Sequence, residues 1–330
     1  MGLTTASSHF VGRFDFSDPE GPLFNWSGNS IETTFVGDSV SITLDNLETS
    51  EPIYFSIMID SEKPYRLKTE AGRKTYKLSE NLIWSDHYVK IVRESEAKYG
   101  VTRFLGFEVG AGEQISQPRT SKIRIETIGD SITCGYGLLE QDPCTASSSS
   151  QSMTKTYGAL AANILNAEYS SVCFSGKGVF HNWGRTHDDP TQTTLLEDYT
   201  QTLAGKNIDW NFPENQRADV VVINLGTNDF SNPVPTEMEF RNAYTKLVKL
   251  VRKNHPRARI FLAIGPVLLE PSIHTVRTAL TRVKKAFNES GDQKIHIIEF
   301  PNQLRPTACE QHPSPQTHQR MAEQLVRAIH

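Results

Sequence analysis

At 330 residues with a formal net charge of −4, the chain is long enough for two domains of roughly 100 to 200 residues each, and it lacks the basic balance that nucleic-acid binding demands. Hydrophobic residues at 37% and charged residues at 22% exclude a disordered chain, and no apolar run reaches the roughly 18 residues that a membrane span needs. The expected partner is a neutral molecule, neither nucleic acid nor membrane.

The start, Met1-Gly2-Leu3-Thr4-Thr5-Ala6-Ser7-Ser8, has no basic segment followed by an apolar one. The chain therefore reads as intracellular or as a mature form without its leader. Two sequons, Asn25-Trp26-Ser27 and Asn288-Glu289-Ser290, would accept glycans in a eukaryotic secretory route, although such tripeptides also arise by chance. Residues 8 to 110 read as a succession of short strands. Val40, Ile42 and Leu44 alternate along one segment, and Ile53, Phe55, Ile57 and Ile59 along the next. Further strands are expected over His9–Phe16, Ile31–Val36, Lys74–Leu78, Tyr88–Arg93 and Arg103–Val109. Many short strands without helical periodicity predict a β-sandwich, most simply a jelly roll, and no catalytic constellation is evident in it.

Gly110–Gln114 and Gln117–Ser121 supply glycine, proline and polar residues where the pattern changes, so the boundary is placed near residue 118, giving domains 1–118 and 119–330. Beyond it, strands are expected over Lys122–Ile128, Glu168–Phe174, Asp219–Leu225, Arg259–Ile264 and His296–Phe300. Helices are marked between and after them by Tyr157 to Leu165, by Phe240, Tyr244, Leu247 and Val251, by Ile273, Val276, Leu280, Val283 and Phe287, and by Met321, Leu325 and Ile329. Alternating strand and helix predict a parallel sheet covered on both faces, a three-layer α/β domain.

Candidate chemistry sits where these strands end. Gly129-Asp130-Ser131 follows the first of them, and Gly135 and Gly137 soon after argue against a helix, so Ser131 is expected exposed on a turn at a carboxyl edge. A serine hydroxyl needs a base in reach and donors for the oxyanion. Ser175-Gly176-Lys177-Gly178, Gly226-Thr227-Asn228-Asp229 and Cys309-Glu310-Gln311-His312-Pro313 offer those parts at later strand ends. Four cysteines (Cys134, Cys144, Cys173, Cys309) lack zinc-ligand spacing, so no metal or other cofactor is expected. They are buried thiols or include a structural disulfide near the site, and spacing does not give the pairing. Ala146–Ser152 reads as a mobile, exposed serine-rich loop, and His181, His187 and His318 as surface or helix-cap residues.

In this order the blocks resemble the SGNH (GDSL-type) hydrolases. The resemblance implies that Ser131 is the nucleophile and His312 the general base, with an oxyanion hole from the N–H groups of Ser131 and Gly176 and the Asn228 side chain. The run Ile128–Gly137, the Ser175–Gly178 block, the ending Cys309, His312-Pro313, Thr317-His318-Gln319 and Met321-Ala322-Glu323, and Gly12-Arg13-Phe14 with Trp26, Gly28 and Gly37 are similar to carbohydrate esterase family two. That family implies a jelly roll ahead of the SGNH domain, acetyl esterase activity on plant polysaccharide of xylan or glucomannan type, an acetylated oligo- or polysaccharide partner, and secretion. The chain departs from the wider SGNH pattern at Cys309, where aspartate would hold the histidine. Either Glu310 orients His312 or a backbone carbonyl does so in a Ser-His dyad, which the family resemblance favours. Tyr136, Phe180 and Trp183 are the candidate sugar-stacking aromatics. An esterase or thioesterase on other acyl or aryl esters, and a carbohydrate-binding protein with a relict site, are the alternatives.

Overall fold

The computed structural model describes residues 7–116, 121, 123–185 and 192–330. The alternating apolar positions of the first third form strands β1 (His9–Val11), β2 (Leu23–Phe24), β3 (Ser30–Gly37), β4 (Val40–Leu47), β5 (Ile53–Ile59), β6 (Tyr65–Thr69), β7 (Gly72–Ser79), β8 (Ser85–Arg93), β9 (Val101–Val109) and β10 (Glu113–Ser116). One antiparallel sheet runs β1-β3-β8-β5-β6, with β10 also on β3, and the other runs β2-β9-β4-β7. Because successive side chains of a strand point to opposite faces, Ile53, Phe55 and Ile57 turn together toward Val40, Ile42 and Leu44 of the facing sheet in one buried core. A register shift opposite Thr43 and Leu44 lets Phe104 and Phe107, of opposite parity, both enter it. Burying each such side chain contributes about 1.5–3 kcal/mol.

The expected strand over His9–Phe16 is paired in β1 only as far as Val11. The glycine-rich stretch expected as linker contributes β10, and residues 117–120 lie outside the described residues. The strand expected over Lys74–Leu78 is β7, and the unforeseen β6 buries only Thr69, so little in its sequence had to be apolar.

The second half forms β11 (Arg124–Gly129), α1 (Ser131–Cys134), α2 (Tyr157–Ile164), β12 (Glu168–Cys173), α3 (Leu195–Asp198), β13 (Val220–Asn224), α4 (Glu237–Asn254), β14 (Arg259–Ile264), α5 (Ser272–Glu289), β15 (Ile295–Glu299) and α6 (Pro315–Ile329). The five strands make one parallel sheet ordered β12-β11-β13-β14-β15. All of β13 is buried, as a central parallel strand must be. Val220 and Val222 share a core with α2 and α6, and Val221 and Ile223 share another with α4 and α5.

The two halves are joined by buried contacts. Trp26, wholly buried, belongs to the same core as α4 and α5. Arg13 donates to the carbonyl oxygens of Tyr199 and Gln201 and lies 3.7 Å from Glu126. Removing one partner of such a buried pair costs about 3–5 kcal/mol, since the other charge stays buried. The Asn25 sequon falls in this interface: Asn25 and Ser27 are buried, and the Asn25 amide exchanges hydrogen bonds with the Ala204 backbone. No glycan fits there in the folded chain.

Candidate active site

Gly129 ends β11 in register with Cys173 of β12 and Asn224 of β13. Three neighbouring strands thus release their loops at one carboxyl edge, where the strand order reverses and open parallel sheets bind ligands. Gly129 admits no side chain, since a Cβ would come within 2.0 Å of Thr133 Oγ1 and 2.9 Å of the Asn224 carbonyl oxygen. The turn expected at Ser131 is instead the single helical turn α1. Asp130 caps it by accepting the Ile132 N–H at 3.0 Å, and Gly135, at φ 75°, ends it in the left-handed region. Ser131 is not open to solvent as expected but 9% exposed, because the His312 loop covers it.

His312 Nε2 lies 2.8 Å from Ser131 Oγ, and Nδ1 lies 3.2 Å from the carbonyl oxygens of both Cys309 and Glu310. With the ring proton on Nδ1 donated to those carbonyls, Nε2 is left to accept from the serine hydroxyl. Burial draws the imidazole below its ordinary value of 6.5, against the opposing pull of the two carbonyls and the charges of Glu310 and Glu96. The ring is therefore neutral at pH 7, the form that can take a proton. Glu310 sends its carboxylate elsewhere, accepting from Tyr136 Oη–H at 3.2 Å and Ala146 N–H at 3.0 Å. Glu310 and Gln311 both have positive φ, 53° and 60°, in the turn that brings the two carbonyls under the ring.

Gly176 follows β12 at φ 83°, with open space where a side chain would sit. Its carbonyl accepts from Trp183 N–H at 2.8 Å, and among the described residues no hydrogen bond claims its own N–H. Asn228, buried on the loop after β13, donates from Nδ2 to the Lys177 carbonyl at 2.9 Å, leaving its second N–H. Asp229 accepts from the N–H groups of Val179, Phe180 and His181. Burial raises its carboxyl, and burial with the Asp229 charge pushes Asp130 up to about 7.

The three aromatics separate. Tyr136 packs on His312, ring centroids 4.9 Å apart, with its hydroxyl pushed up to about 12 by burial and the nearby Glu310 charge, so it stays a neutral donor. Trp183, 68% exposed, rims a cavity of about 360 Å³ that Phe174, Ser175, Gly176 and Lys177 also line. Phe180 packs against the sheet core instead.

All four cysteines are paired, Cys134 with Cys173 and Cys144 with Cys309. One bridge ties α1 to the end of β12, and the other anchors the His312 loop. Among the described residues, the one cluster with three candidate metal-donor atoms, Glu140, Cys144 and Cys309, has both sulfurs in the second bridge.

Several expectations are corrected. The serine-rich stretch is not an exposed loop: Ser148, Ser150, Gln151 and Ser152 are buried, and Arg66 donates to the carbonyls of Ser148, Ser149 and Gln151. His181 is buried rather than superficial, while buried His318, in the first turn of α6, does serve as a helix cap, its Nδ1 accepting the Tyr157 N–H at 3.1 Å at the start of α2 rather than of its own helix. Apolar surroundings press the His318 ring down to about 3. His187 lies outside the described residues. Sequence reasoning also missed the sandwich's reach into the site. Lys98 Nζ stands 4.4 Å from the Tyr136 ring centroid, and Glu96 accepts from both Ser175 N–H and Ser175 Oγ–H. An isolated Glu-Ser-Glu among strands carries no signal that separates it from an ordinary surface turn.

Residues 10–118 match the carbohydrate esterase 2 N-terminal family model, and residues 125–325 match that of the GDSL-like lipase/acylhydrolases. The chain is 36% identical over 325 residues to the cellulase/esterase CelE of Acetivibrio thermocellus, an alignment covering 97% of this chain and 39% of that protein. It is 26% identical to an acetylxylan esterase / glucomannan deacetylase of Cellvibrio japonicus, over 78% of this chain and 71% of the relative. A solved family two carbohydrate esterase from Clostridium thermocellum, in complex with cellohexaose, superposes with a TM-score of 0.91 at 35% identity, covering 98% of each chain. With both domains matched and a solved relative aligned almost end to end, the chain belongs to the family two carbohydrate esterases, carboxylic-ester hydrolases of the GDSL class.

Proposed function

We propose that the chain removes O-acetyl groups from plant polysaccharide of xylan or glucomannan type through an acyl-enzyme on Ser131. The observation that carries this reading is the 2.8 Å approach of His312 Nε2 to Ser131 Oγ, with Nδ1 held on the carbonyls of Cys309 and Glu310. Ser131 Oγ attacks the acetyl carbonyl while His312 Nε2 takes its proton. The negative charge on the former carbonyl oxygen is stabilised by Ser131 N–H, Gly176 N–H and the Asn228 amide. His312 then returns the proton to the departing sugar oxygen, and water, activated by the same imidazole, releases acetate from the serine ester. The ring is oriented by peptide carbonyls, a Ser-His dyad with no carboxylate on Nδ1. Trp183, on the cavity rim, is the stacking surface for a sugar ring, and Tyr136 supports the base.

The relatives' names support the substrate class, while the chain spans about 39% of the length of CelE. A domain division near residue 118 is supported by the matches to 10–118 and 125–325, and a jelly-roll sandwich by the paired antiparallel sheets. Secretion is supported by the two disulfides. Among the described residues, no helix is long and apolar enough to cross a membrane. The cellohexaose in the Clostridium thermocellum relative favours a second reading, sugar binding without turnover.

Acetate release from acetylated xylan and glucomannan by wild type and Ser131→Ala, with oligosaccharide binding measured alongside, separates these readings. Serine-dependent release is expected. Binding without release would leave a lectin-like protein, and preference for long acyl chains would point to a lipid-type esterase.

A further inference from the structure

The turn between β8 and β9 is built around a buried cation. Arg93, with no exposed surface, donates to the carbonyl oxygens of Ser95 at 2.9 Å, Glu96 at 3.2 Å and Gly100 at 2.7 Å, and to Thr102 Oγ1 at 2.8 Å. A guanidinium satisfied by that many fixed acceptors makes the turn rigid. The turn carries Glu96 out of the sandwich and into the other domain. Glu96 N–H donates to Gln151 Oε1 at 3.1 Å, and Gln151 Nε2 donates to the Cys134 carbonyl at the end of α1 at 3.2 Å.

The Glu96 carboxylate is wholly buried, with Lys98 Nζ at 3.8 Å. Burying a carboxylate is costly unless donors replace its water. Both donors come from one residue: Ser175 N–H at 2.7 Å and Ser175 Oγ–H at 2.5 Å. Ser175 immediately precedes Gly176, whose backbone at φ 83° is unrestrained by any side chain. The peptide that presents the Gly176 N–H is therefore fixed from outside, on one side by Glu96 through Ser175 and on the other by Trp183 N–H through the Gly176 carbonyl.

We propose that Glu96 of the sandwich domain is a positioning residue that aims the Gly176 N–H at the developing oxyanion. This rests on the acyl-enzyme reading above. The domains are also held together by contacts that do not touch Ser175, among them those of Arg13, Trp26, Asn25 and Arg66. The sandwich thereby completes the active site of its neighbour.

The test is steady-state kinetics of wild type, Glu96→Ala, Glu96→Gln and Ser175→Ala on p-nitrophenyl acetate and acetylated xylan. Rates are expressed per active serine, counted by organophosphate titration, so that loss of folded protein does not count as lost catalysis. Misaiming one oxyanion donor costs up to about 10²-fold in rate. The expected result is a fall of that order in kcat for Glu96→Ala with KM little changed. A smaller fall is expected for Glu96→Gln, whose amide oxygen still accepts from Ser175 N–H, and for Ser175→Ala, which keeps that same bond. If Glu96→Ala does not fold, the two conservative variants decide. Unchanged kcat per site in the folded variants, or a loss confined to KM, overturns the positioning role while leaving the esterase intact. A wild type that releases no acetate, or does so independently of Ser131, overturns the underlying reading and this one with it.

Discussion

Truncating Glu310 separates two mechanisms that the sequence leaves open. If a carboxylate held His312, Glu310→Ala would remove the group that fixes its tautomer, at a cost of up to about 10⁴-fold in kcat. In the structure Nδ1 faces the carbonyl oxygens of Cys309 and Glu310, both at 3.2 Å, and neither acceptor is lost when a side chain is cut back. What Glu310→Ala does remove is the pair of hydrogen bonds to Tyr136 Oη at 3.2 Å and Ala146 N at 3.0 Å, made by an exposed residue. Each contributes about 0.5–1.5 kcal/mol net, and only the first reaches the base, through the Tyr136 ring packed 4.9 Å from it. Even if all of that bond's energy were lost from the transition state, the change in kcat is about tenfold or less. The assay is steady-state hydrolysis of p-nitrophenyl acetate and acetylated xylan by wild type and Glu310→Ala. A loss of about 10³-fold or more, with the protein folded, would refute the carbonyl dyad and restore a triad.

Asn228→Ala should lower kcat by about 10²- to 10³-fold if its amide is an oxyanion donor, and unchanged turnover would remove it from that role. The pH profile of kcat/KM should report His312. Because burial lowers its folded-state pKa from 6.5, the neutral base persists below that value, and activity is lost only as pH falls through the depressed pKa. An acid limb centred above 7 would contradict this. Stability should carry a separate acid limb from His318, whose ring takes a proton near 6.5 when unfolded but only at about 3 when folded. Its contribution is complete above 6.5 and lost as pH drops from there toward 3, about 2 kcal/mol by pH 5. Urea unfolding at pH 7 and pH 5 should show a smaller pH dependence in His318→Asn than in wild type, and equal slopes would rule the ring out.

Much of this protein was determined along the chain. Val40, Ile42 and Leu44 alternate because one face of a strand meets the core, and Val220 to Asn224 is continuously apolar until its last residue because both faces are covered. Local periodicity therefore told the sandwich from the parallel sheet. The blocks at Gly129-Asp130-Ser131, Gly176 and Asn228 were legible because each follows a strand of the parallel sheet, and the His312 block because it precedes the last helix. Tertiary structure decided whatever depends on partners distant in sequence. The cysteine pairings join residues 39 and 165 positions apart, and no local pattern records them. The serine-rich stretch looks solvated until Arg66 gathers its carbonyls, and His181 looks superficial until the fold buries it. Polarity at those positions gave the wrong burial, because a polar group is as stable inside as outside once its hydrogen bonds are met. What holds His312 is a pair of peptide carbonyls, which every residue possesses, so only the turn at Glu310 and Gln311 could place them. Glu96 is the same lesson across domains: a carboxylate without a motif takes its role from the one serine it meets.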